Sequence, residues 1–140
     1  MKSEGVVQFV KFGVVGVANT VVDWIVFYLL INTIVTLEPA AKAIAFLIAM
    51  LNSYIWNTIW TFRKEYKSVS GQKGAKTAIF SKFAVVSGIG WGLNVAIFSL
   101  VLTKINYKLF GNEELLALVA ASAAATLWNF FANKFWTYKK

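Results

Sequence analysis

The stretches "WNTIWTFRK" (residues 56–64) and "NFFANKFWTYKK" (residues 129–140) close two long apolar runs with the same components in the same order: asparagine, tryptophan, threonine, a second aromatic ring and a basic pair. Tryptophan and tyrosine favour the boundary between hydrocarbon and water, because one edge of the ring is apolar and the other can hydrogen-bond. Lysine and arginine there reach the headgroups while their methylenes stay in apolar surroundings. Each stretch therefore reads as the point where a helix leaves a bilayer.

Working back from these exits, four segments are apolar for long enough to cross about 30 Å of hydrocarbon: residues 9–31, 40–60, 83–102 and 115–136. The 140-residue chain is 59% hydrophobic and 14% charged, whereas soluble domains lie near half and a quarter. A soluble helical bundle of this length could bury only part of that surface, so lipid is the expected solvent. Lys2 precedes the first segment as in a secretion signal. Its apolar run is too long for a signal core and lacks an A-x-A site, so it is expected to be retained. Cysteine and histidine are absent, which removes disulfides, thiolate ligation and most transition-metal chemistry. No metal site and no cofactor are expected.

The net charge of +8 would point to nucleic acid in a soluble protein, but here its placement decides the reading. Eleven of the fourteen basic residues fall on one side of the expected spans: Lys2, Lys11, Arg63, Lys64, Lys67, Lys73, Lys76, Lys82, Lys134, Lys139 and Lys140. Lys42, Lys104 and Lys108 fall on the other. The positive-inside rule then makes both termini and the basic middle loop cytoplasmic. That loop faces anionic headgroups, where each cation near the surface contributes roughly 1 kcal/mol.

The second half of the chain repeats the first. "FVKFGVV" (residues 9–15) returns as "FSKFAVV" (residues 80–86), so that Lys11 falls on Lys82, Phe12 on Phe83 and Asp23 on Asn94 at a constant offset of 71. After a five-residue insertion in the second outer connection the offset is 76. Glu38 then meets Glu114; Ala41, Ala45 and Ala49 meet Ala117, Ala121 and Ala125; Asn57 and Trp60 meet Asn133 and Trp136. Two crossings per unit return the chain to its starting side, so the repeats are parallel. The expected fold is an all-α integral membrane protein of four transmembrane helices in two parallel two-helix repeats. Residues 7–64 form the first repeat, 65–79 a cytoplasmic loop and 80–140 the second, within one domain of residues 1–140. The alanines, four apart, form faces where backbones can approach closely.

Polar residues inside these spans are the candidate site. Asp23 lies about 18 Å along a helix from Lys11, near mid-bilayer, where an acid costs roughly 2.5–3.5 kcal/mol and needs a partner, a wet cavity or a proton. Gly16, Asn19 and Asp23 form one stripe, matched by Ser87, Gly90 and Asn94. The repeat holds asparagine where the first half holds Asp23, which favours an asymmetric pocket; the bland alternative is that Asp23 and Asn94 only join helices. As α-helix, Ser53, Asn57 and Trp60 share a face, as do Asn129, Asn133 and Trp136. Lys11, Lys82 and Lys134 sit a turn inside the apolar runs, a placement anchoring alone does not require. Amides beside cations and aromatic rings would form a receptor for a phosphate joined to a sugar and a lipid tail.

The segments "FVKFGVVGVANTVVDWIVFYLL" and "NSYIWNTIWTFRK", the basic loop and the closing "NFFANKFWTYKK" resemble the GtrA-like family of small four-span membrane proteins, over about residues 7–140. The resemblance implies work in cell-surface polysaccharide synthesis or teichoic-acid glycosylation, with polyprenyl-phosphate-linked monosaccharides moved across a prokaryotic plasma membrane. Carried over by match, Lys11, Gly16, Asn19, Asp23, Asn57, Trp60 and Arg63 are the family-like positions of the first half, and Lys82, Asn94, Asn129, Asn133 and Trp136 those of the second. With Lys134 added from its placement, the expected substrate-binding residues are Lys11, Asn19, Asp23, Asn57, Arg63, Lys82, Asn94, Asn129, Asn133 and Lys134. Ser53 standing opposite Asn129, and Asn19 opposite Gly90, argue against a strictly symmetric pocket.

Nothing resembles a phosphate-cradling loop or a nucleophile with its base, so no catalysis is expected. The leading expectation is a flippase for a lipid-linked sugar phosphate. The alternative is an accessory scaffold that holds the lipid-linked sugar for a membrane glycosyltransferase without transporting it. A small proton-coupled drug antiporter also has four spans and an acid in the first, but the one-sided charge here argues against its usual dual orientation. Four helices enclose little volume, so a homodimer or larger assembly is expected. Expected partners are the polyprenyl-phosphate sugar lipid, membrane lipids and a membrane glycosyltransferase, and no nucleic acid.

Overall fold

A computed structural model describes residues 2–33, 37–104 and 113–139, which are almost wholly helical, with no strand among them. Residues 34–36, the second connection with Lys108 and its insertion, Lys140, and the side chains of Lys2, Lys104 and Glu114 lie outside the described part. The elements are α1 (Lys2–Thr33), α2 (Glu38–Trp56), a π-helical turn (Asn57–Thr61), α3 (Arg63–Val69), α4 (Ala75–Lys104), α5 (Glu113–Ala132) and a second π turn (Asn133–Thr137).

Among the described residues, four helical stretches are long and apolar enough to span a bilayer: Glu4–Thr33, Glu38–Thr61, Ala75–Val101 and Leu116–Thr137. At most 22% of the apolar window in any of them is buried within the protein. Val17, Trp24 and Tyr28 stand about two-thirds exposed. Water would penalise each such side chain by about 1.5–3 kcal/mol relative to burial, so hydrocarbon is the medium that fits this surface. The chain is an all-α membrane protein with four candidate spans among the described residues.

Contacts divide the chain into two compact units, Met1–Ala75 and Lys76–Lys139. In the first, α1 packs on α2, with Ala41, Ala45 and Ala49 buried on α2 and Phe12 and Val15 buried on α1. In the second, Ala117, Ala121 and Ala125 are buried on α5, and Phe83 and Val86 on α4. The alanine faces expected from sequence are thus the helix seams. A methyl group at every fourth position lets backbones approach where lipid supplies no hydrophobic drive.

α2 begins after Leu37, whose extended backbone (φ −92°, ψ 108°) starts the first turn, with Pro39 where a missing N–H is tolerated. The basic connection is more structured than a loop. α3 is tied back to the start of α1 by Gln8 Nε2 donating to Glu65 Oε1 at 2.5 Å and by a 2.7 Å Lys64–Glu4 ion pair. The hydrogen bond from Lys64 to Glu4, then the carboxylate charge, raises the Lys64 pKa above the ordinary lysine value. Both side chains are largely exposed, so the pair orients α3 more than it stabilises it. Gly74, at φ +79°, supplies the left-handed step into α4.

Enlarging a seam alanine should separate the helices. Ala45→Leu and Ala121→Leu are expected to cost about 1–3 kcal/mol each, read as a lower melting temperature in detergent, whereas Ala43→Leu on the exposed face should melt like wild type.

Candidate lipid-headgroup site

The two π turns build the site. In the first, the Phe62 N–H donates to the Asn57 carbonyl at 2.7 Å; in the second, the Tyr138 N–H donates to the Asn133 carbonyl at 2.9 Å. Asn57 Nδ2 donates to the Ser53 carbonyl at 2.9 Å and Asn133 Nδ2 to the Asn129 carbonyl at 2.8 Å. The side chain thus shares the carbonyl that an α-helical N–H would take alone, and the ladder widens by one residue. Phe62 and Tyr138 then follow with nearly the same backbone, φ −110° and −104°.

This geometry corrects the α-helical placement of Ser53, Asn57 and Trp60, and of Asn129, Asn133 and Trp136, on shared faces. Asn57 and Asn133 are each 1% exposed, whereas Trp60 and Trp136 are 40% and 47% exposed. The extra residue in the turn rotates the tryptophans outward and keeps the asparagines in. Asn57 Oδ1, Thr61 Oγ1, Asn133 Oδ1 and Thr137 Oγ1 are buried with no hydrogen-bond partner among the described residues.

Each outward tryptophan carries a lysine. Lys11 Nζ lies 5.3 Å from the Trp60 ring centroid, and Lys82 Nζ lies 5.7 Å from that of Trp136 while donating to the Trp136 carbonyl at 3.4 Å. A cation over an aromatic face gains roughly 0.5–2 kcal/mol, most where water is excluded. Lys134 takes a different place, over Phe130 and Phe135 at 5.4 and 6.0 Å. Arg63 is exposed at the start of α3. Trp60, the ring under Lys11, also lines an apolar groove of about 370 Å³ together with Val14, Val15, Ala18, Trp56 and Ile59. An ammonium at the mouth of an apolar trough can hold an anion bonded to a hydrocarbon tail.

The deeper candidates do not join this cluster. Asn19 Oδ1 accepts from Asn52 Nδ2 at 3.4 Å, linking α1 to α2. Asp23 pairs with Lys42, meeting the expectation that it would find a partner. Asn94 is half-buried on α4. Asn129 lies against Gly90, where an added β-carbon would sit 2.6 Å from its Nδ2 and 2.8 Å from its Cγ. The amide that α1 supplies in one unit thus comes from α5 in the other, with glycine making room.

Three partners escaped the sequence reading: Lys42, counted only as an outward charge, Asn52, and Trp128, whose Nε1–H donates to the Val86 carbonyl at 3.1 Å. Lys42 had a signal. Its counterpart is Leu118, so the column that loses the charge of Lys42 accompanies the column that exchanges Asp23 for Asn94.

The GtrA/DPMS transmembrane-domain family model matches residues 11–138, from the first site lysine to the ring that closes the second π turn. The chain belongs to that family. Similar proteins include two uncharacterized membrane proteins of Bacillus subtilis (strain 168). YngA is 27% identical over 128 residues, covering 91% of this chain and 77% of its own. YwcD is 25% identical over 127 residues, covering 91% and 93%. GtrA/DPMS membership associates this membrane protein with lipid-linked sugar processes.

Gly90 should tolerate no side chain while Asn129 keeps its place. Gly90→Ala is expected to cost about 1–3 kcal/mol in thermal unfolding, and Gly88→Ala, with nothing within 4 Å of the new methyl, to cost nothing measurable.

Proposed function

We propose that this protein translocates a polyprenyl-phosphate-linked monosaccharide across the prokaryotic plasma membrane. The observation that carries the reading is the half-buried Lys11 ammonium over Trp60 at the edge of the apolar groove. In such a site the phosphate would take the ammonium's free donors, in a charge-assisted contact worth about 1.5–3 kcal/mol. The isoprenoid chain would lie along Val14, Ala18 and Ile59, and the sugar would remain at the interface among polar groups such as Arg63.

Lys82 over Trp136 offers a second cation of the same kind, and the matched π turns favour the repeat reading. The one-sided distribution of basic residues supports termini and α3 on the cytoplasmic face, which puts both lysines where a lipid-linked sugar is made. No bond is made or broken in this scheme. A membrane glycosyltransferase is the partner that would supply or consume the lipid, and a homodimer or larger assembly would enclose the sugar better than one chain.

The test is uptake of a water-soluble, short-chain isoprenyl phosphate-linked glucose into sealed vesicles containing the purified protein. Wild type should accelerate uptake above protein-free vesicles, and Lys11→Gln with Lys82→Gln should slow it about tenfold or more. Equal rates with and without protein would refute translocation. A rise in co-reconstituted glycosyltransferase activity without uptake would establish the accessory reading in its place.

A further inference from the structure

Away from the Lys11 cluster, toward the turn end of the first hairpin, the first unit holds another cation built like Lys11. Lys42 Nζ pairs with Asp23 Oδ2 and stands 5.7 Å from the Phe27 ring centroid. Its side chain is 53% exposed, against 19% for Asp23, whose Oδ1 is buried with no hydrogen-bond partner among the described residues. A pair serving only to join α1 to α2 would gain most by closing both charges away from lipid. Here the acid is covered, and the ammonium remains half open beside an aromatic ring, as Lys11 does beside Trp60.

The second unit shows that the hairpin does not need this pair, because Asn94 and Leu118 hold the matched positions without charge. Lys42 and Lys11 differ in one respect that bears on binding. Lys11 has no carboxylate at hand among the described contacts, whereas Lys42 is already neutralised by Asp23. An arriving phosphate must share or displace that carboxylate, so the same chemistry would hold it more weakly.

We infer that Lys42 is a second, weak seat for a lipid-borne phosphodiester, with Asp23 as the built-in counter-ion that sets its weakness. This extends the lipid-phosphate reading above by giving the lipid a place to be released from as well as one to be captured by. The carboxylate has a definite sign of action: removing it should strengthen binding. A pair acting only as glue predicts no gain.

The experiment measures binding of short-chain isoprenyl phosphate-linked glucose to the full chain in phosphatidylcholine nanodiscs. Asp23→Asn is expected to tighten a weak site at least tenfold. Asp23→Asn with Lys42→Leu, which installs the residue pair of the second unit and can be checked for an unchanged melting temperature, should abolish that gain. The same two steps are repeated with Lys11 and Lys82 changed to glutamine. If the gain persists there, the Lys42 seat stands independently of the first site, and failure of the first site leaves it measurable. Competition by phosphatidylglycerol at concentrations matching the probe would assign the seat to net-anionic phospholipid headgroups, which the zwitterionic phosphatidylcholine of the disc is not, and competition only by the sugar-linked probe would assign it to the carried lipid; either supports an anionic, lipid-borne phosphodiester. Equal displacement by inorganic phosphate, unchanged or weaker binding in Asp23→Asn, or a gain that survives loss of Lys42 would overturn the inference.

Discussion

Two helices in hydrocarbon gain little by burying leucine against leucine, since lipid tails solvate leucine as well as another helix does. What they can gain is close approach, and in each unit that approach runs along three buried alanines. The seam sets everything near it. With α2 drawn up to α1, Phe12 and Val15 are covered and Asn57 is enclosed. Trp60 then arrives on the flank where Lys11 emerges one helix away. The cation over the ring is therefore a product of backbone proximity, and so is the groove, whose floor at Val15 and Ala18 would fill if the helices parted.

The π turn supplies what the seam cannot. A regular helix would carry Asn57 and Trp60 around to similar surroundings, and the amide could then be inside only if the ring were too. One added residue decouples them. The arrangement has a cost: each buried oxygen left without a partner costs about 1–3 kcal/mol, and two such atoms occur at matched places in each unit. π turns concentrate where a regular ladder would misplace a functional side chain. Here the side chain so placed is the interfacial tryptophan that carries the lysine.

Composition and the two matched exits were enough to read the fold, because four apolar lengths, alanine spacing and lysine placement are properties of sequence that a bilayer converts directly into helices and seams. Lys11 and Trp60, and likewise Lys82 and Trp136, were expected on one side of the spans for the same reason, although nothing in the sequence paired each lysine with its ring. The π turns were not, since their cause is competition for the Ser53 and Asn129 carbonyls by side chains that in most helices point elsewhere. α3 was read as loop because its apolar content is low; what orders it is contact with Gln8 and Glu4, far away in sequence. Lys42 was misjudged because distance along the chain hides that a residue one turn into α2 faces one well down α1.

The frames of the two units agree at the seam, the π turn and the interfacial lysine, and they differ in what lies between. Asn19 with Asn52 stands against Gly90 with Trp128 and Asn129. The groove residues Ala18 and Trp56 stand against Ile89 and Ala132, and the pair Asp23–Lys42 against Asn94 and Leu118. A ligand that binds two states equally shifts neither, and likewise a carrier offering equal seats along its path would hold its cargo without preferring either end. Keeping the frame and varying the polar interior is a physical way to make the seats unequal. The first unit has an open cation at one end and a neutralised one toward the other, so under the proposed function an anionic headgroup would meet a gradient of affinity along a single hairpin.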